Sequence, residues 1–227
     1  KNYRLACERQ KLKLFKKNKV DFVVNVNFSK SFFKITAEDF IKKILYKKLQ
    51  VKLIVVSNNF KFGRNRKGDI NLLKHFSHTF GYNLLNIEPL KYLNQLVSST
   101  KIRNQLRKGN VNIANKMLSR TWSIEGEVIE GKKIGRTLGY RTCNIKIKNY
   151  ILPKTGIYAV KVSIGNNNKI YGAVAYLGNR PTFSGDQVFL EVNIFGIKKN
   201  LYKKKLTVYF LKYLRKDIKF DNSDQLV

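Results

Sequence analysis

Residues 126–144 read GEVIEGKKIGRTLGYRTCN, and segments of alternating apolar residues lie on both sides of this stretch. The stretch contains four glycines, a pair of lysines and two arginines, and it ends in Thr-Cys-Asn. Glycine lets backbone N–H groups point at a phosphate, and nearby cations neutralise the phosphate charge. A threonine hydroxyl and an asparagine amide can bind magnesium. An ordinary glycine-rich turn between two strands fits the same residues, because short glycine motifs are weak signals.

Short strand patterns separated by turns dominate the chain from Trp122 onward. Strands are predicted at Trp122–Glu130, Cys143–Lys148, Gly156–Ile164, Lys169–Leu177, Phe189–Phe195 and Leu206–Leu214. Six strands with little helix between them predict a closed or partly closed antiparallel barrel. Residues 126–144 then form a flap at one rim, and the mouth of a barrel is a natural site for a small ligand.

Glu191 is conspicuous because the chain has only 14 acidic residues. In the segment FLEVNIF, Leu190, Val192 and Ile194 share one face of a strand, and Glu191 lies on the other. If the apolar face packs in the core, Glu191 can be an ordinary outward side chain. If the other face lines the mouth, the carboxylate can take a proton from a substrate hydroxyl. The pattern leaves both interpretations open.

Helix and strand patterns alternate in the first half of the chain. The sequence predicts a first helix ending near Lys19, a strand at Val20–Asn27, a helix begun by Thr36, a buried parallel strand at Val51–Val56, a helix from Asp69 to Phe80 and a strand at Asn83–Ile87. This order predicts an open α/β sheet, in which ligands bind beyond the carboxyl ends of the strands. Two more helices up to residue 118 end this first domain.

Two loops lie where such a sheet binds ligands. The loop Ser57–Asp69 offers rings for stacking and cations for phosphates, at Phe60, Lys61, Phe62, Arg64, Arg66 and Lys67. In the second loop, Ser98 and Ser99 can cap a helix whose free N–H groups bind an anion, and Arg103 follows one turn later. A solvated basic loop and an ordinary capped helix are the alternatives, and neither loop decides alone.

The composition argues against several other classes of protein. No apolar run approaches the length that crosses a bilayer. Cys7 and Cys143 lie far apart without metal-type spacing, which argues against a disulfide framework and fits a reducing cytoplasm. His75 and His78 are expected to be surface or packing residues, because a metal site needs more ligands. The net charge of +32 comes from lysines spread along the chain, so no specific nucleic-acid partner is expected.

The two ends of the sequence suggest a piece of a longer protein. Residue 1 is lysine rather than methionine, and Ser223 is typical of an N-cap although only four residues follow it. We therefore expect a chain truncated at both ends, with a C-terminal helix cut short after its start.

Seven ordered motifs carry a resemblance to a known family. They are FKFGRNRKGD, SSTKIR, GRTLGYRTCN, LPKTGIYAV, LGNRPTF, LEVNIF and YLRKDIKF, and they span nearly the whole chain. The chain resembles the bacterial bifunctional riboflavin kinase/FAD synthetase family. The resemblance implies an α/β nucleotidyltransferase-type (Rossmann-like) domain at residues 1–118 that adenylylates FMN, then a six-stranded antiparallel β-barrel at 119–227 that phosphorylates riboflavin. Riboflavin, FMN and ATP with Mg²⁺ are the implied ligands, in the cytoplasm and without a membrane partner.

The resemblance also assigns roles to individual residues. Glu191 matches the family's catalytic base, and Thr142 and Asn144 match the side chains that serve ATP and magnesium. The further residues expected to bind ATP in the kinase half are Gly131, Gly135, Arg136 and Gly139. In the adenylyltransferase half the matching residues are Asn59, Phe60, Phe62, Ser98, Ser99, Thr100 and Arg103.

The chain departs from the family pattern at three places. Arg141 stands where the kinase motif has a proline, and Ser57 stands where a glycine is usual. The family's His-x-Gly-His element belongs upstream of Lys1, so the chain as given is expected to be a poor adenylyltransferase. The alternative function is that of a catalytically impaired homologue that binds flavin or polyanions, which Arg141 and the charge of +32 suggest.

Overall fold

A computed structural model describes residues 3–131, 141–165, 169–182, 185–197 and 199–218, with the backbone alone at 179–182 and 185–187. The chain divides into two compact units, one formed by Lys1–Val20 with Val97–Val227 and the other by Asp21–Leu96. The boundary at 118/119 stays a prediction. The expected hairpin turn at 166–168 and the expected helix from Ser223 lie outside the described residues.

The described α-helices are α1 (Glu8–Lys17), α2 (Lys30–Phe33), α3 (Ala37–Asp39, continued by a π-helix at Phe40–Lys48), α4 (Ile70–Phe80), α5 (Ser99–Lys108) and α6 (Val111–Leu118), and a short 3₁₀ helix lies at Arg64–Arg66. The described strands are β1 (Leu53–Ser57), β2 (Asn83–Ile87), β3 (Lys91–Tyr92), β4 (Gln95–Leu96), β5 (Ser123–Ile129), β6 (Thr142–Ile145), β7 (Gly156–Ile164), β8 (Ile170–Thr182), β9 (Gly185–Ile194) and β10 (Lys205–Arg215).

The unit at 21–96 contains a parallel β1–β2 pair connected through α4. Asp69 caps α4 by accepting a hydrogen bond from the Leu72 N–H at 3.1 Å, and Gly81 ends the helix at a φ of +64°. Leu73 on α4 is fully buried and packs in a small core with Ile41. Local signals therefore placed both ends of α4 correctly.

Of the strand predictions for residues 20–56, one is wrong and one is right only in part. Val20–Asn27 forms no strand, and Phe22 within it is 89% exposed. The predicted buried strand at Val51–Val56 is observed as β1, but Leu53 and Val55 are 56% and 50% exposed. An apolar pattern becomes a buried strand only where neighbouring elements pair its backbone and cover its side chains. Among the described residues, β1 pairs with β2 alone, and Val20–Asn27 pairs with no strand.

The unit formed by Lys1–Val20 and Val97–Val227 is built on a closed six-stranded barrel, which confirms the predicted fold class. The strands follow the order β10-β5-β6-β9-β8-β7, and every described pair of neighbours is antiparallel. Alternate residues of each strand fill the interior. Fully buried members are Ile124, Tyr158, Val162, Ala175, Leu177, Leu190, Val192, Leu206, Val208 and Phe210.

Helix α1 packs on this barrel through hydrogen bonds. The Trp122 indole Nε1 donates to the Leu5 carbonyl at 2.8 Å, and Gln10 Nε2 donates to the Ser123 hydroxyl at 3.0 Å. The Tyr150 hydroxyl donates to Gln10 Oε1 at 2.8 Å and accepts from the Glu125 N–H at 3.2 Å. The predicted first helix therefore exists, although it begins only at Glu8.

Replacing Tyr150 by phenylalanine tests this contact. We expect Tyr150→Phe to lower the free energy of unfolding by about 1–2 kcal/mol at neutral pH, because Gln10 and the Glu125 N–H lose a buried partner. Burial raises the pKa of Tyr150, so the folded state keeps a proton that the unfolded state loses above about pH 10. Wild-type stability should therefore fall as the pH rises above that value, and the fall should be shallower in Tyr150→Phe.

Urea unfolding on both sides of about pH 10 measures the two effects. Tyr202→Phe, at an exposed tyrosine, is the matched control and should change neither the free energy of unfolding at neutral pH nor its fall above about pH 10. Identical pH dependence in wild type and Tyr150→Phe would contradict the assignment.

Candidate active site

Strands β6 and β9 bring three predicted kinase residues together. In their antiparallel register Asn144 lies opposite Glu191, and Thr142 lies opposite Asn193. Side chains two residues apart share one face of a strand, so Thr142 and Asn144 flank the same surface as Glu191. The Thr142 hydroxyl donates a hydrogen bond to Glu191 Oε1. Two segments about fifty residues apart in sequence thus form one cluster of oxygen-bearing side chains.

The barrel core decides which face of β9 carries this cluster. Leu190 and Val192 are fully buried and Ile194 is 6% exposed, so the apolar face packs inside. Glu191 is half-buried on the opposite face. The first alternative for the packing of β9 is therefore correct, yet Glu191 is not an ordinary surface carboxylate, because Thr142 holds it in place.

A cavity of about 210 Å³ opens beside Thr142. Val128, Ile194 and Leu201 give it apolar walls, and Arg141 and Lys199 supply positive charge. An apolar cavity with a few polar and charged groups is the usual form of a small-ligand site. No sequence motif pointed to the segment 199–202, which lines the cavity only because it follows β9 at the same rim.

Gly131 lies very close to the Asn144 side chain. A Cβ at residue 131 would lie 2.0 Å from Asn144 Nδ2, so any larger residue there would displace the Asn144 amide. The glycine therefore lets the backbone that follows β5 approach the Asn144 amide closely. The other predicted ATP-binding residues of this loop, Gly135, Arg136 and Gly139, lie outside the described residues.

The predicted phosphate-binding residues Ser98–Arg103 lie at the start of α5. Ser98 caps the helix by accepting a hydrogen bond from the Lys101 N–H at 3.3 Å, and Ser99 and Thr100 form the exposed first turn. Arg103 Nε donates to the Tyr3 carbonyl at 2.7 Å. The helix therefore offers its first-turn N–H groups to an anion, while Arg103 is already engaged by residue 3.

The predicted nucleotide loop lies in the other unit. Phe62 is 8% exposed in the core, where its ring stacks on Phe60 with centroids 5.4 Å apart. Asn59 is exposed, and its side chain accepts a hydrogen bond from the Ser57 hydroxyl at 2.7 Å. The two rings have packing partners within the protein, so stacking of a ligand on them stays a prediction.

His75 and His78 lie exposed on α4, as predicted. Within the described residues no three His, Cys, Asp or Glu side chains form a cluster that could hold a metal ion. None of the described helices is long and apolar enough to cross a bilayer.

Comparison with known proteins matches two family models along the chain. Residues 1–101 match the family model described as FAD synthetase, and residues 118–227 match the model described as riboflavin kinase. The bifunctional riboflavin kinase/FMN adenylyltransferase of Buchnera aphidicola subsp. Schizaphis graminum is 38% identical over 226 residues, which cover 98% of this chain and 72% of the relative. The chain belongs to the bifunctional riboflavin kinase/FMN adenylyltransferase family.

Other relatives agree with this membership. The enzyme of the same description from Escherichia coli K12 is 33% identical over 223 residues, which cover 98% of this chain and 71% of the relative. A solved structure titled as a macrolide-efflux protein from Streptococcus pneumoniae superposes with a TM-score of 0.89 at 31% identity, over 98% of this chain and 71% of that one. The two chains therefore share a fold over the superposed residues.

This flavokinase barrel carries a thiol beside its carboxylate. Cys143 lies between Thr142 and Asn144 on β6 and is half-buried. Burial raises the pKa of its thiol, and the charge of Glu191 raises it further. The reactivity of this thiol is therefore sensitive to the negative charge on Glu191.

Alkylation of Cys143 tests this arrangement. We expect iodoacetamide to react slowly with Cys143 at about pH 8, because only the thiolate reacts and its pKa is raised. In Glu191→Gln the negative charge is gone, so the Cys143 pKa should fall and alkylation should be faster. Mass spectrometry of the Cys143 peptide gives the rate, and the Cys7 peptide in the same digest is the internal control. An unchanged Cys143 rate in Glu191→Gln would refute the proximity.

Proposed function

We propose that this protein makes flavin cofactors, using ATP to phosphorylate riboflavin to FMN and to adenylylate FMN to FAD. The observation that carries the proposal is the Thr142–Asn144–Glu191 cluster on the barrel of a chain that belongs to this family. Both domains of the relatives are matched in this chain. The alternative of a catalytically impaired homologue receives no support from the comparisons.

Glu191 is the proposed general base of the kinase half. Its carboxylate accepts a hydrogen bond from the Thr142 hydroxyl, and a substrate hydroxyl can be held in the same manner. A carboxylate so placed can accept the proton of the terminal ribityl hydroxyl as that oxygen attacks the γ-phosphorus of ATP. The Thr142 contact keeps the carboxylate in one position, which favours the in-line geometry that phosphoryl transfer needs.

The same residues suit magnesium-bound ATP. Thr142, Asn144 and Glu191 offer a hydroxyl, an amide oxygen and a carboxylate, which are the hard oxygen donors that Mg²⁺ prefers. Thr142 and Asn144 are the proposed ligands, and the ion would offset negative charge on the transferring phosphoryl group. Arg141 and Lys199 line the adjacent cavity and add positive charge where phosphates would lie. Arg141 thus supplies charge at the position where the family has a rigid proline.

For FAD formation, the proposed phosphate site is the first turn of α5. Ser98, Ser99 and Thr100 present backbone N–H groups and hydroxyls at the positive end of the helix dipole. Asn59 and Phe60 are proposed to lie near the nucleotide. Arg103 must exchange its contact with the Tyr3 carbonyl for a phosphate to act there. The cytoplasmic location expected above stays a prediction.

The assignment of the base is tested by Glu191→Gln, which keeps the shape and removes the proton acceptor. FMN formation should fall by about 100-fold or more, because general-base catalysis contributes about 10²–10⁴. Riboflavin binding, followed by quenching of flavin fluorescence, should stay close to wild type. Glu127→Gln, at an exposed glutamate of β5, is the matched control and should retain full activity. Equal rates in Glu191→Gln and wild type would remove Glu191 from the mechanism.

A further inference from the structure

A second cavity, of about 450 Å³, lies between α1 and the outer face of β5, β7 and β10. All of its walls belong to the unit that contains the barrel. It shares no lining residue with the cavity beside Thr142, and it contains none of Ser98–Arg103. We call it the α1 cavity. Its volume lies within the range of about 300–1,000 Å³ that is typical of small-ligand sites.

The walls of the α1 cavity are unusually polar for a buried surface. The four uncharged polar residues that the described part of the chain buries most fully, Gln10, Ser123, Ser163 and Thr207, all line it, and each is 5–7% exposed. The register of β10 places Thr207 between Ser163 of β7 and Glu125 of β5. No buried side-chain polar atom in the described residues lacks a hydrogen-bond partner; Gln10 Nε2 donates to Ser123 and the Thr207 hydroxyl donates to Glu125 Oε1 at 3.5 Å. The walls of the α1 cavity are therefore a satisfied polar surface, on which a polar ligand displaces less apolar contact than it would elsewhere in the core.

The single acidic residue that lines the α1 cavity is already neutralised. The Glu125 side chain is 9% exposed, and its carboxylate pairs with Arg9 Nε at 2.8 Å and with Lys13 Nζ at 3.8 Å. Glu125 therefore repels an incoming anion much less than an unpaired carboxylate would.

Two further cations face the α1 cavity without a counter-charge. Within the part of the chain that the structure describes, the side chains of Lys17 and Arg120 have neither a hydrogen bond nor an ion pair. Arg120 is half-buried, and this burial lowers the pKa of its guanidinium. A partly buried arginine normally pairs with an anion, because its desolvation is otherwise uncompensated.

We propose that the α1 cavity binds a small phosphorylated molecule, with the phosphate held by Arg120 and Lys17 and the rest of the ligand against the buried hydroxyls. The planar guanidinium of arginine matches phosphate oxygens in a two-pronged geometry. Ser163 and Thr207 then offer hydroxyl groups to a polar ligand body such as a sugar. This site is separate from the proposed kinase and adenylyltransferase sites and goes beyond the proposed function.

Hydrogen exchange of the full chain locates the binding. The probes are inorganic pyrophosphate and ribose 5-phosphate, each compared with sodium chloride at equal ionic strength. At about ten times its Kd a probe should slow exchange in α1 and in residues 161–165 by up to about 10-fold. Binding of both probes assigns a phosphate site. Stronger binding of ribose 5-phosphate assigns the hydroxyl contacts as well. Protection confined to β6 or to the start of α5 would overturn the proposal.

A pair of matched double variants separates a site from general attraction to a basic protein. The double variant Lys17→Gln/Arg120→Gln should bind each probe at least about 10-fold more weakly than wild type. The protection of α1 against hydrogen exchange should then be lost. Lys11→Gln with Lys116→Gln removes the same charge from exposed positions on α1 and α6 and should leave the protection intact. Equal loss in both variants would show charge attraction alone and reject the site.

A single variant and an activity measurement complete the test of the α1 cavity. Lys17→Gln alone, at an exposed position, should fold normally and still weaken binding, so instability of the double variant cannot hide a negative result. FMN formation should be unchanged in every variant of the α1 cavity. Loss of probe binding with normal FMN formation therefore separates this proposal from that of the flavin-cofactor function.

Discussion

The antiparallel pairing of β6 with β9 is the constraint on which the proposed kinase site depends. It sets Asn144 opposite Glu191 and lets the Thr142 hydroxyl donate to the Glu191 carboxylate. A slip of one residue would turn every side chain of β6 to the other face. The closed barrel prevents such a slip, because Leu190 and Val192 are fixed in an interior that is filled from all sides. The packed core thus positions side chains that lie outside it.

Helix α1 packs on the outside of the same barrel mainly through polar contacts. It is attached to the outer face of β5, where hydrogen bonds from Gln10 and the Arg9–Glu125 ion pair replace the apolar contacts of the interior. These polar contacts fill only part of the interface between α1 and the strands, and a space of about 450 Å³ remains beside them. The α1 cavity occupies this space, so the structural role of α1 and the proposed ligand site have one origin.

Sequence reasoning succeeded where the determining interactions are local. Asp69 and Ser98 were recognised as helix caps, and the six barrel strands were found from their alternation and turns. It failed for Val20–Asn27, because a strand needs a neighbour that its own residues do not specify. Alternation also could not decide which face of β9 is buried. The α1 cavity has no sequence signal, since its walls come from segments scattered between Gln10 and Tyr209.

The central claim is that Thr142 and Glu191 act as one unit in phosphorylating riboflavin. A double-mutant cycle on the rate of FMN formation, with Thr142→Val, Glu191→Gln and the double variant, tests it most directly. The account predicts that the double variant is far less impaired than the product of the single losses, with a coupling energy of about 1 kcal/mol or more. Losses that simply multiply would show that the two side chains work independently and would contradict the account.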